Sequence, residues 1–121
     1  MDPLRILETA SVLLAIAALG GLAMAGVRFS GKPHPPTWLA MLHGLLAASA
    51  LTLLIYGWVI VGLPGLAMAG TALFALAAVG GVAMNLGYHW RRLPLPMGLM
   101  IGHAVLAVLG YALLLIATFR G

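Results

Sequence analysis

Apolar residues come in four long stretches separated by three short interruptions. From Thr9 to Val27 the chain is uncharged. Arg28, Lys32 and the turn-forming run SGKPHPP then break the pattern before a second apolar stretch opens at Pro36. The next interruption, GLPG at Gly62 to Gly65, carries no charge but combines helix-breaking glycines with a proline suited to a first helical turn. A third stretch runs from there to about Tyr88, where HWRRLPLP ends it, and a fourth runs from Pro96 to about Phe119. A bilayer core of about 30 Å takes roughly 20 helical residues to cross. The pattern therefore predicts four membrane spans, at about 4–29, 36–61, 64–89 and 96–119, in a single transmembrane domain over 1–121.

Composition supports this reading: 64% of the 121 residues are hydrophobic and only 7% are charged, which leaves no room for a separate soluble domain. The absence of cysteine excludes disulfides, thiolate metal sites and thiol catalysis. The tripeptide AMA at Ala23 to Ala25 resembles a signal-peptidase site. Asp2 and Glu8 spoil the positive flank that a signal peptide needs, however, and the first helix is expected to be retained.

Comparing each residue with the one sixty positions later gives an ungapped internal repeat, about 4–61 against 64–121. LLAIAALGGLAM at 13–24 matches LFALAAVGGVAM at 73–84 in eight of twelve positions, and Pro36, Leu39, His43, Leu46 and Ala47 pair with Pro96, Leu99, His103, Leu106 and Ala107. Each repeat holds two spans, so both halves enter the membrane with the same orientation, about a pseudo-two-fold axis along its normal. The expected fold is all-α: an up-down-up-down four-helix bundle built from two tandem helical hairpins, with helices 2 and 4 diagonally opposed.

His43 and His103 each fall seven residues after a helix-starting proline, about 10 Å into the span at 1.5 Å per residue. Met24 and Met84, counted back from the ends of helices 1 and 3, reach a similar depth. One layer of the bundle is thus expected to carry two imidazoles and two thioethers. The connections on that side, 30–35 and 90–95, are flanked or occupied by Arg28, Lys32, Arg91 and Arg92. The positive-inside rule places them in the cytoplasm and both termini in the periplasm or outside, as in a bacterial inner membrane. The net charge of +4 reflects this topology, and no nucleic-acid partner is expected. Trp38, Trp58, Trp90 and Tyr56 lie near span ends as interfacial anchors, and His34 and His89 fall in loops as headgroup-level or solvated side chains.

An ionisable side chain at membrane depth costs free energy unless something satisfies it. No carboxylate is at hand, because Asp2 and Glu8 belong to the opposite end. Neutral imidazole is a good iron ligand, and two of them facing each other at one level are what a six-coordinate b-type haem needs. Gly20, Gly21, Gly80 and Gly81 lie about a turn from the histidines and leave room for a flat macrocycle, as do Ala47 and Ala107 one turn beyond them. Haem propionates would point to the cationic surface, which also bears His34 and His89. Arg28, on the Ala17–Gly21–Met24 stripe, is the best-placed cation, and its repeat mate Tyr88 is a further donor.

MLHGLLA, IGHAVLA and the glycine pairs resemble the membrane-embedded four-helix b-type cytochromes, which carry haem between intramembrane histidines, as in respiratory-complex anchor subunits. Two-haem members usually carry two ligand histidines per helix, whereas each helix here has one. The resemblance thus implies one haem b per chain, with His43 and His103 as axial ligands, and electron transfer to a redox partner protein or a quinone. A homo-oligomer is compatible with it.

Two other readings stay open. One is a soft-metal site in which His43, His103, Met24 and Met84 bind Cu(I), as in a copper carrier; a haem carrier is the related case. The other is a non-redox membrane subunit or transporter whose histidines are structural. Nothing assembles into a nucleophile–base pair, a carboxylate pair or a phosphate loop, so catalysis at most takes the form of redox activity toward quinone or oxygen species.

Overall fold

The computed structural model describes residues 1–120, and among them it contains four helices and no strand. Helix α1 spans Pro3–Phe29, α2 Thr37–Tyr56, α3 Gly65–Met84 and α4 Met97–Arg120. Two of them continue through a wider π-helical turn, α2 through Gly57–Val61 and α3 through Asn85–His89. All four are long and apolar enough to cross a membrane. Their outward side chains are large and apolar, with Leu19, Leu22, Val79 and Val108 all about two-thirds exposed, a surface suited to lipid and not to water. The chain is an integral membrane protein.

Local chemistry sets the helix starts. Asp2 caps α1, its Oδ1 accepting from Arg5 N–H at 2.9 Å, and Pro3 supplies the fixed φ of the first turn. The other three helices begin directly after a proline. The carbonyls of Pro36, Pro64 and Pro96 accept the first helical bonds, from Ala40, Met68 and Met100. These prolines therefore stand just outside the first turn, where they contribute an acceptor and need no N–H of their own. The π turns end α2 and α3 with bonds five residues apart, Gly62 N–H to Gly57 at 2.7 Å and Trp90 N–H to Asn85 at 2.9 Å.

The helices pack in a ring: α1 against α2 and α3 against α4 as tight hairpins, closed by α1–α4 and α2–α3 contacts. The closest approach lies in the second hairpin. A Cβ added to Gly70 would meet the backbone oxygen of Gly110 at 2.8 Å, and one added to Gly110 would meet that of Gly70 at 3.1 Å. Their repeat mates in the first hairpin, Ala10 and Ala50, are fully buried.

Burial is uneven along the bundle. Most of the buried side chains, among them Ile6, Leu14, Leu54, Phe74 and Leu114, belong to the half that holds the chain termini and the GLPG turn, whereas Leu95 and His89 are buried at the opposite end. That half is also cross-linked by polar contacts: Tyr111 O–H donates to the Ser11 carbonyl at 2.9 Å, and the Ser11 and Thr118 hydroxyls lie 3.5 Å apart. In the other half the inward positions of the spans are only half-buried, including Gly20, Gly21, Met24, His43, Ala47 and their repeat mates.

Candidate functional site

His43 on α2 and His103 on α4 meet across this looser half, with ring centroids 6.2 Å apart and planes inclined at 68°. Each ring is anchored within its own hairpin. His43 Nδ1 lies 2.7 Å from the carbonyl of Ala17 on α1, and His103 Nδ1 lies 2.7 Å from that of Ala77 on α3. A carbonyl only accepts, so Nδ1 carries the proton and Nε2 presents its lone pair. Neither Nε2 has a hydrogen-bond partner among the described residues, and neither is sealed in the interior, since no buried side-chain nitrogen or oxygen is left unpaired there.

The glycine pairs make this anchoring possible. A helical side chain covers the turn N-terminal to itself, so the residue four positions on shields a given carbonyl. Four positions after Ala17 stands Gly21, and four after Ala77 stands Gly81. With no side chain at either, the carbonyl is open to the imidazole, and the ring settles into the space. A Cβ at Gly21 would come within 3.2 Å of His43 Cε1, and one at Gly81 within 3.2 Å of His103 Cε1. Gly20 and Gly80 sit beside the same rings at 3.6 and 3.8 Å. The sequence suggested these glycines as clearance for a macrocycle edge; their direct contacts are with the histidines.

The remaining candidates surround this level less closely. Met24, Met84, Ala47 and Ala107 are half-buried, and Ala107 packs on the edge of the apolar core. Arg28 is half-buried at the end of α1, where its Nε donates to the Leu95 carbonyl at 3.1 Å and ties α1 to the α3–α4 connection. Tyr88 lies half-buried in the π turn of α3, sixty positions on from Arg28.

His89 corrects the sequence reading. It is not a solvated loop residue but the last residue of the π turn, only 8% exposed. Its Nε2 donates to the Pro35 carbonyl at 2.9 Å, and its Nδ1 lies 3.3 Å from Asn85 Oδ1. The π turn sets the phase that brings it inward, and nothing in the hydropathy pattern signals such a turn. His34 does lie in a loop, half-buried, with its ring edge-to-face on His89 at 5.3 Å.

No group of three or more potential ligands from His, Cys, Asp and Glu occurs among the described residues, so two imidazoles alone fall short of a tetrahedral ion site of the zinc type. They suit a metal that brings its own in-plane ligands. A metal–imidazole bond of about 2 Å, with the ring centre about 1 Å behind the nitrogen, gives about 6 Å between two rings that share one metal. The observed 6.2 Å has that span. The Nδ1–carbonyl bonds are of the kind that orient metal-bound histidines.

The fold and this site define a four-helix membrane bundle with a paired-histidine layer. Compared with known protein families, curated proteins and solved structures, the chain finds no match.

Proposed function

We propose that the protein is a membrane b-type cytochrome that binds one haem between His43 and His103 and passes electrons to a redox partner protein or a quinone. The observation that carries this reading is the pair of imidazoles, 6.2 Å apart, each with Nδ1 bonded to a backbone carbonyl and Nε2 without a partner. His43 and His103 would hold the haem, which would supply one-electron chemistry, and ligation by both imidazoles would favour electron transfer over oxygen activation. The chain holds the two imidazoles in one tautomer, keeps carboxylates away from them and surrounds them with small side chains. Arg28 and Tyr88 are the donors assigned to the propionates. Of the Arg28 guanidinium, only Nε has a hydrogen-bond partner among the described residues, the Leu95 carbonyl.

The cation-rich connections belong to the cytoplasmic side of a bacterial inner membrane, with both termini periplasmic. A single haem nearer the cytoplasmic side cannot carry an electron across the whole bilayer, so a partner or a second cofactor completes the path.

The same Nδ1–carbonyl bonds favour a second reading, in which the histidines are polar staples joining α1 to α2 and α3 to α4. A visible spectrum of detergent-purified protein, expressed with ample haem and recorded oxidised and dithionite-reduced, separates the two. Sharp low-spin b-type bands that disappear in both His43→Ala and His103→Ala support the cytochrome. A colourless wild-type protein overturns it in favour of staples, and a copper assay on that sample tests the soft-metal site.

A further inference from the structure

A pocket of about 350 Å³ opens at the cation-rich end of the bundle, lined by His34, Thr37, His89, Trp90 and Arg92. None of these residues belongs to the His43–His103 layer. We propose that this pocket binds a phosphate group, and that its source is the headgroup of an anionic phospholipid.

The donors are available. His89 is held by Pro35 and Asn85 and forms the floor, whereas no protein hydrogen bond engages the side chains of His34, Thr37 or Arg92 among the described residues. A guanidinium, a hydroxyl and an imidazole converging on one cavity are a donor set for phosphate oxygens. The start of α2 adds to it. Thr37 is its first residue, Pro36 before it offers no side-chain cap, and the open N–H groups of that turn contribute positive potential.

Charge balance points the same way. The chain has six Lys and Arg against two carboxylates, and Asp2 and Glu8 both lie at the start of α1, at the far end of the bundle. Lys32, Arg91 and Arg92 are exposed and have no protein counter-ion at their own end. Arg92 also holds φ +55, a left-handed conformation that a residue with a side chain rarely adopts, in a tight turn where its N–H donates to the His89 carbonyl at 3.1 Å.

Depth selects the source. Trp90, which lines the pocket, and Trp38, the next residue after Thr37, are 64% and 67% exposed, as residues at the membrane–water interface are, which sets the cavity among headgroups. Basic pockets between helices at this surface suit anionic headgroups. Phosphatidylglycerol offers the phosphate without the choline cation that Arg92 would repel in phosphatidylcholine.

The full chain is reconstituted in nanodiscs of equal phosphatidylcholine and phosphatidylglycerol, transferred to mild detergent, and its retained lipid is counted by native mass spectrometry. Wild type is expected to keep one phosphatidylglycerol in preference to phosphatidylcholine. Loss of one charge-assisted contact in Arg92→Gln, or of the imidazole in His34→Ala, should lower that retention by about tenfold, while Arg120→Gln at the far end should not. Millimolar inorganic phosphate that leaves the lipid in place supports the headgroup as the source; displacement of the lipid by phosphate assigns the site to the free anion. Equal retention of the two lipids by wild type, or wild-type retention by the folded Arg92→Gln/His34→Ala double variant, overturns the site. The readout needs no haem, so it stands or falls separately from the cytochrome reading.

Discussion

Gly21 and His43 are a matched pair: the missing side chain at Gly21 uncovers the Ala17 carbonyl that receives His43 Nδ1, and a Cβ there would stand 3.2 Å from the ring. Gly81 and His103 repeat the arrangement. Valine at either glycine would push the imidazole off its carbonyl at a strain of about 1–3 kcal/mol. Gly21→Val and Gly81→Val are therefore expected to lower the haem-to-protein ratio by about tenfold or more, measured as the pyridine haemochrome. Gly26→Val, where nothing lies within 4 Å, should leave the ratio unchanged.

The Gly70–Gly110 contact fixes how closely α3 and α4 approach. Backbone cannot rotate aside as a side chain can, so Gly70→Ala, with its Cβ 2.8 Å from the Gly110 oxygen, must spread the hairpin. A loss of about 1–3 kcal/mol is expected, read as a lower midpoint of thermal unfolding in detergent. Gly98→Ala, on α4 and facing open space, should unfold like wild type or slightly later.

Tyr111 joins the two hairpins through its bond to the Ser11 carbonyl. Hydrogen bonds between membrane helices contribute about 0.6 kcal/mol on average. Tyr111→Phe should cost about that much and leave any spectrum of the histidine layer unaltered, because the contact belongs to the opposite half. An unchanged unfolding midpoint would show that the bond contributes nothing net.

The orientation can be tested cleanly because the chain has no cysteine. Ser30 and Gly65 are exposed at opposite ends of the bundle, and a side chain at Gly65 meets nothing. An impermeant maleimide should label Gly65→Cys in intact spheroplasts and Ser30→Cys only after permeabilisation. The reverse pattern would invert the assigned topology.

The sequence by itself determined the four spans, their breaks and the shared depth of His43 and His103. These follow from hydropathy, from prolines that start helices and from cations that stop them, and all of these act within a few residues along the chain. Only the tertiary structure decided which groups meet. The helices are apolar on nearly every side, so no polar face marks which way each one turns, and rotational phase is set by packing between residues far apart in the chain, 26 positions for His43 and Ala17 and 54 for His89 and Pro35. That is why the carbonyl partners of the histidines, the Gly70–Gly110 contact and the inward turn of His89 were not legible beforehand. The loosely filled half around the histidines has the same origin: small residues permit close packing, but the relative placement of two hairpins determines whether it occurs.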